Sequence, residues 1–351
     1  MNETTSIVPA GPLNIEVYTT YKVGRGLYIY LSPILLVFGL VGNVLSFLVM
    51  SKRARAPPPT YLYLTVLAVV DVLALYVPCV RGWLVFVADI DLMVVLHCSW
   101  YFIVYFSVCN MSVYIVVSVT VDRFIHTFFP LSAKRWCTLR STVYVLISVS
   151  TLVSVINFHY PWTMKLLVTT SNSSGSSRYQ CVTAPGYEAW MSDVWPYLDL
   201  TIYSFLPFVI LMLCNLMIIY RLAVQSKKMK KMRSGPRSTA DENKGKMKIK
   251  PSKTTVMLVV LSFILLLTTS PVVALHISET FWDRSHPSQA ALHFLITAIS
   301  EHLMYLNNCL NFVLYFLSAK KFREELKVTV LKRGARRVQP SNVENTLATV
   351  T

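Results

Sequence analysis

Seven long apolar segments constrain this chain more than any other feature. A helix that crosses the hydrocarbon core of a bilayer needs about 20 predominantly apolar residues. Hydrophobic residues make up 54% of the 351 and charged residues only 14%, against about 25% charged in a soluble domain. This composition excludes most soluble folds and a disordered chain, and it predicts an all-α membrane protein. The segments cover residues 27–50, 61–86, 94–128, 141–160, 194–222, 254–279 and 290–317.

The basic residues predict the orientation of these segments. If the amino terminus is outside, all but six of the 33 Lys and Arg residues fall on the cytoplasmic side, where such residues are enriched. We therefore expect an extracellular tail at 1–26 and a membrane domain at 27–326. The third cytoplasmic loop would cover about 223–253, and 327–351 would form a cytoplasmic tail. The first 26 residues lack the pattern of a cleavable signal peptide.

Two tripeptides on the outer side agree with this orientation. Asn2 and Asn172 each begin an Asn-x-Ser/Thr acceptor for glycosylation, a modification made in the lumen or at the exterior. The basic run in 226–252 is explained by a solvated loop, with attraction to anionic lipids as a compatible addition. It does not require a nucleic-acid partner.

Ionisable residues inside the apolar segments are the informative ones, because they are costly in a bilayer. The second segment carries Asp71, the third ends in Asp122-Arg123-Phe124, and the fifth and seventh carry Asp199 and Glu301. No catalytic motif such as HExxH, G-x-S-x-G or a phosphate-binding glycine loop occurs. We therefore expect a protein that is not an enzyme.

The motifs in these segments follow a familiar order, and the chain resembles the rhodopsin-like G-protein-coupled receptors over about 27–326. The resemblance implies seven transmembrane helices with a short amphipathic eighth helix beginning near Lys320. It rests on Gly42-Asn43, Leu67-Ala68 with Asp71, Asp122-Arg123-Phe124, Pro207, Pro271, Asn311-Phe312-Val313-Leu314-Tyr315 and Lys320-Lys321-Phe322-Arg323.

The same resemblance implies the function and several residue roles. The protein would bind an extracellular ligand at the plasma membrane and activate a heterotrimeric G protein, with arrestin and a receptor kinase as further partners. Arg123 would be the switch, paired with Asp122 in the inactive state, and Tyr315 would belong to the same machinery. The alternative is an ion pair with a structural role only.

The resemblance also bears on the cysteines. Cys98 precedes Arg123 by 25 residues, or about 37 Å of helix, so it lies outside. There it can meet Cys181, the cysteine of the second outer loop, and an oxidising exterior favours a disulfide.

No cofactor is required by this sequence, but a sodium ion is expected as an allosteric modulator. The family resemblance places five oxygen-bearing side chains together in mid-membrane, and a hard cation takes oxygen ligands. The alternative is a water-filled polar cluster in which Asp71 is protonated or hydrogen-bonded. The five residues are Asn43, Asp71, Ser112, Asn307 and Asn311.

Several positions depart from the family pattern. Phe312 replaces the usual proline of the seventh helix, and Thr268-Thr269-Ser270 precedes Pro271 without the usual tryptophan. With Asn215 in the fifth helix, these departures resemble the FMRFamide-receptor-like neuropeptide receptors and their orphan vertebrate relatives.

The outer third of the helices predicts the ligand. Arg81 and Glu301 each lie ten residues outward of a core residue, about 15 Å along a helix, and Tyr105, Asp199 and His276 are expected at a similar depth. Two acids beside aromatic walls suit a peptide that carries arginine and aromatic residues. Alternatively, Arg81 and Glu301 pair with each other, leaving Asp199 alone. The expected aromatic wall consists of Trp100, Tyr101, Tyr160 and Trp162.

Three classes of function remain at this stage. The first is a G-protein-coupled receptor for a peptide. The second is the same fold sensing a small molecule such as an amino acid, with Arg81 holding its carboxylate and Asp199 or Glu301 its amine. The third is a transporter or channel, which would need a continuous polar path that the single cluster around Asp71 does not provide.

Overall fold

The computed structural model describes residues 15–54, 59–170, 177–233, 253–278, 282, 285–318 and 320–337. Within these residues the chain folds into a bundle of seven long helices followed by an eighth. Asn2 and Asn172, the predicted glycosylation sites, lie outside the described residues. The helices are α1 (Thr19–Met50), α2 (Thr60–Ala88), α3 (Cys98–Phe128), α4 (Leu139–Thr163), α5 (Trp190–Arg233), α6 (Lys253–Ser278), α7 (Pro287–Ser318) and α8 (Lys320–Arg337).

Smaller elements connect the long helices. Short helices at Leu92–Val95 and Pro130–Trp136 follow α2 and α3, respectively. An antiparallel hairpin of β1 (Met164–Thr170) and β2 (Ser177–Thr183) joins α4 to α5, with Leu166 opposite Cys181. We call the end of the bundle near this hairpin the Asp199 end and the opposite end the Arg123 end.

Helix α7 differs from the other six in composition. The first six helices contain a stretch long and apolar enough to cross a membrane, whereas α7 is not among the spans that pass this test. It has 32 residues, about 48 Å of helix, and its polar side chains lower its hydropathy. Several of them, including His302, Asn307 and Asn311, are buried inside the bundle. The predicted seven-helix membrane fold is confirmed, and α7 is more polar than the six helices that pass the test.

The helices do not begin at the predicted residues, and two of the shifts have a clear local cause. α1 begins at Thr19, eight residues before the predicted start. The prediction missed this segment because Lys22 and Arg25 lower its hydropathy. α3 begins at Cys98, four residues after the predicted start. His97 has φ 63°, a left-handed value that a continuing α-helix does not allow.

Close approach of α1 to its neighbours depends on glycine. A Cβ atom at Gly39 would collide with Leu75 and lie 2.9 Å from Cys309 Sγ, and both of these residues are buried. One turn further, Gly42 faces Phe312, which stands where the family resemblance predicts a proline. The Phe312 ring also lies 5.9 Å from that of Phe322 in α8. The aromatic replacement therefore fills the junction of α1, α7 and α8.

Candidate functional site

A fully buried carboxylate, Asp71 of α2, lies at the centre of the bundle. It accepts hydrogen bonds from Ser112 Oγ of α3, at 2.7 Å, and from the side-chain amide of Asn311 of α7. Three of the five predicted sodium ligands are thus in direct contact. No hydrogen bond joins Asn43 or Asn307 to Asp71 among the described residues.

The environment of Asn43 bears on the sodium prediction. Its Nδ2 donates to the Asn308 carbonyl at 2.9 Å, and this leaves Asn43 Oδ1 buried without a hydrogen-bond partner among the described residues. A buried acceptor without a donor is costly, and a cation would satisfy it. Asn43, Asp71 and Ser112 all offer oxygen atoms, the ligand type that a hard cation takes.

The Arg123 end contains the predicted switch. Arg123 and Asp122 are both buried, and Arg123 Nε lies 3.9 Å from Asp122 Oδ2. Thr60 Oγ1 also approaches Asp122 Oδ2, at 3.4 Å. Neither Nε nor Nη2 of Arg123 has a hydrogen-bond partner among the described residues, and the buried Tyr315 hydroxyl has none either. The guanidinium is therefore held by one long ion pair and keeps donors available.

Arg81 at the other end is paired with Asp91, not with Glu301. Its Nε and Nη2 donate to the two carboxylate oxygens of Asp91 at 2.8 and 2.9 Å. Asp91 Oδ1 also accepts from the Met93 amide and caps the short helix that follows. Burial favours a higher pKa for Asp91, but the hydrogen bonds from Arg81 and Met93 outweigh it and hold this pKa below its ordinary value.

Glu301 of α7 is bound by two phenols. Tyr28 of α1 donates to Glu301 Oε2 at 2.8 Å, and Tyr305 donates to the same oxygen at 3.0 Å. The Tyr28 ring stacks on Phe86 of α2 at 5.1 Å. No hydrogen bond to Oε1 occurs among the described residues, so one oxygen of Glu301 is left for another partner.

Asp199 has the simplest surroundings of these acids. It lies half-buried near the start of α5, and no described side chain donates a hydrogen bond or forms an ion pair with it. Beside it, Trp195 Nε1 donates to the Tyr160 hydroxyl at 3.2 Å, and the Tyr160 ring stacks on Phe106 of α3 at 5.3 Å. Asp199 is thus a carboxylate at the edge of an aromatic wall.

The aromatic wall is only partly the predicted one. Tyr101 and Tyr160 are buried, and Tyr101 stacks with Tyr105 at 6.1 Å. Trp100 and Trp162 are about half exposed instead, which corrects the sequence-based wall. Trp100 precedes Tyr101 by one residue, about 100° around a helix, so both cannot face inward. The side chain of His276 lies outside the described residues.

A cavity of about 270 Å³ lies between α3, α5 and α6, below Asp199. Its walls are mainly apolar and include Tyr203, from a π-helical turn of α5, and Leu265. Thr269, which stands where the family resemblance predicts a tryptophan, also lines it.

Cys98 and Cys181, the predicted disulfide pair, are neighbours. Cys98 is buried at the start of α3, and the thiols of both residues are free. Burial, followed by the neighbouring Cys98 thiol, raises the pKa of Cys181. A further tie holds the hairpin to α3, since Ser99 Oγ donates to the Met164 carbonyl at 2.8 Å.

Sequence reasoning missed several residues of these clusters. Tyr28 was not distinguishable from the other tyrosines of an apolar segment. The acid that pairs with Arg81 was visible in the following loop, but its contact depends on the path of that loop. His126 and Cys137, which lie beside Asp122, had no motif to mark them.

Comparison with known proteins gives the class that this fold and these motifs define. Residues 42–315 match the family described as 7 transmembrane receptor (rhodopsin family). The chain therefore belongs to the rhodopsin family of seven-transmembrane receptors, a family of multi-pass membrane receptors and not of enzymes.

Individual relatives are distant. The chain is 24% identical to the FMRFamide receptor of Drosophila melanogaster over 316 residues, which is 87% of this chain and 54% of that protein. It is 25% identical to a probable G-protein coupled receptor of Caenorhabditis elegans over 217 residues, 56% of this chain and 47% of that protein. The chain spans about half the length of the curated relatives it matches.

Proposed function

We propose that this protein is a plasma-membrane receptor for an extracellular peptide and that it activates a heterotrimeric G protein. The family match and the similarity to an FMRFamide receptor support this proposal. The excess of basic residues at the Arg123 end favours a cytoplasmic position for that end. The Asp199 end then faces the exterior, with the amino terminus outside and the carboxyl terminus inside.

The observation that carries the peptide proposal is the carboxylate of Asp199, which lies beside aromatic rings and has no partner among the described residues. A guanidinium binds a carboxylate through two parallel hydrogen bonds, and aromatic side chains pack against aromatic walls. A peptide that carries arginine next to an aromatic residue supplies both groups. Glu301 Oε1 and Tyr105 would complete this site, with His276 as a further contact.

The pairing of Arg81 weighs against the amino-acid alternative. A free amino acid needs a cation for its carboxylate, and both Arg81 nitrogens near Asp91 are already engaged at 2.8 and 2.9 Å. Arg81 therefore acts in our proposal by holding the first outer loop and, through its position 5.7 Å from the Tyr101 ring centre, the aromatic wall.

Signalling in this proposal passes through the polar core to Arg123. Asp71, Ser112 and Asn43 Oδ1 would hold a sodium ion, whose positive charge balances that of the buried carboxylate. Release of Arg123 from Asp122 would expose its unpaired donors to the G protein. Tyr315, whose hydroxyl has no hydrogen-bond partner within the described part of the chain either, would take part in that rearrangement. Cys98 and Cys181 would form a disulfide at the exterior. Receptor kinase and arrestin would act on the cytoplasmic tail.

A second-messenger screen tests the proposal. Cells that express the full chain are challenged with amidated peptides, several of them ending in Arg-Phe-amide, and with free aromatic amino acids. A peptide response that disappears in the Arg123→Ala variant would support receptor signalling. A response to amino acids alone would overturn the peptide proposal.

A matched pair of variants then tests the anchor. We expect Asp199→Asn to raise the peptide concentration needed for a half-maximal response by about 10- to 150-fold. The reason is that a hydrogen bond to a charged group contributes about 1.5–3 kcal/mol. Asp193→Asn is the control, since Asp193 lies in the same segment but is exposed and bonded to Ser192. Equal responses of the two variants would refute the role of Asp199.

A further inference from the structure

Three potential metal ligands converge at the Arg123 end. Asp122 and His126 lie one turn apart on α3, and Cys137 follows the short helix Pro130–Trp136. The carboxylate oxygen, imidazole nitrogen and thiol sulfur of these residues all lie within 4.8 Å of one another. We propose that they form a binding site for a zinc ion.

The fold explains why these side chains meet. Residues four apart on a helix face the same side, and His126 Nδ1 lies 3.5 Å from Asp122 Oδ2. The short helix then folds back, with the Cys137 amide bonded to the Ala133 carbonyl at 2.9 Å. Its buried residue, Ala133, fixes it against the bundle. The sulfur is thereby returned to the end of α3.

The types of the three ligand atoms favour zinc over other metal ions. A carboxylate, an imidazole and a thiolate match the oxygen, nitrogen and sulfur ligands of zinc, whereas magnesium and calcium take oxygen alone. Around a tetrahedral zinc ion, neighbouring ligand atoms are about 3.3–3.8 Å apart. Side-chain movements of about 1 Å would bring the three ligand atoms to these separations. A water molecule would be the fourth ligand.

Binding requires three local changes. The Cys137 thiol releases its proton to solvent as the sulfur–zinc bond forms, because the thiolate is the ligand. Burial, followed by the negative charge of Asp122, raises the pKa of Cys137 to about 12, and a zinc ion reverses the second of these effects. His126 Nδ1 gives up its 2.8 Å contact with the Asp122 carbonyl. Asp122 is shared with Arg123, so the bound cation weakens that ion pair.

Cobalt provides a direct test. The full chain, purified with a tag free of histidine and placed in lipid nanodiscs, is titrated with cobalt chloride. A cobalt–thiolate bond gives a charge-transfer absorption band in the near ultraviolet. We expect this band to saturate at one metal per receptor and to disappear when zinc chloride is added.

Variants identify the ligands. We expect Cys137→Ser to abolish the band and His126→Asn, which keeps the thiol and the carboxylate, to weaken cobalt binding at least tenfold. Cys214→Ser is the matched control because Cys214 is also a half-buried free thiol, located in α5. The proposal is overturned if no band forms, if the band survives in Cys137→Ser, or if His126→Asn binds cobalt as the wild type does.

Discussion

The hydrogen bond between Tyr28 and Glu301 joins the first and seventh helices, and its energy can be measured. Tyr28 is only 6% exposed, so water does not replace the phenol when it is removed. A hydrogen bond to a charged group contributes about 1.5–3 kcal/mol, against about 0.5–1.5 kcal/mol for a bond between neutral groups. We expect Tyr28→Phe to lower the free energy of unfolding by about 1.5–3 kcal/mol, the range for a bond to a charged group.

A double-mutant cycle tests whether the carboxylate charge is responsible. In a Glu301→Gln background the same Tyr28→Phe change removes a bond to a neutral amide oxygen, and it should cost about 0.5–1.5 kcal/mol. The cycle therefore predicts a coupling of about 1 kcal/mol or more between the two residues. The assay is reversible unfolding of the purified chain in mixed detergent micelles.

The control for this cycle removes a similar phenol that bonds to a neutral acceptor. Tyr76 of α2 donates to the Leu36 carbonyl of α1 at 3.2 Å, so Tyr76→Phe should cost about 0.5–1.5 kcal/mol. The reasoning is refuted if Tyr28→Phe costs no more than Tyr76→Phe. It is equally refuted if the Tyr28 cost is unchanged in the Glu301→Gln background.

Three other predictions follow from local geometry. Gly39→Ala should destabilise the bundle by about 1–3 kcal/mol because the added Cβ overpacks a filled site. Gly26→Ala, whose Cβ would meet no atom within 4 Å, should stabilise it by about 0.5–1 kcal/mol. The free energies of unfolding of the two variants provide the comparison. Asp122→Asn removes a negative charge beside Cys137 and so lowers the pKa of that thiol. Maleimide alkylation of Cys137 should then be several-fold faster at fixed pH. The folded-state pKa of Asp91 lies below its ordinary value, so its ion pair adds stability above about pH 4 and loses it as pH falls further. The difference in unfolding free energy between wild type and Asp91→Asn should therefore shrink in acid.

The sequence predicts the number and order of the helices because apolar length and polar loops are properties of the chain itself. It also predicts a polar core, since Asp71 in an apolar segment must find partners. It does not predict which polar groups pair. Glu301 of the seventh segment and Asp91 of the following loop are both possible partners for Arg81, and the choice depends on a loop bent by the left-handed residues Asp89 and His97.

The acids of the bundle differ in one respect that bears on function. Asp71, Asp91, Asp122 and Glu301 each accept a hydrogen bond or form an ion pair, whereas Asp199 does neither among the described residues. A half-buried carboxylate without a partner destabilises the empty protein, and in our proposal the cation that pairs with it belongs to the ligand. Asp199→Asn should then make the empty receptor more stable while it weakens the response to a cationic peptide. A loss of both stability and response would instead assign Asp199 a structural role, and the anchor for the peptide would have to be Glu301.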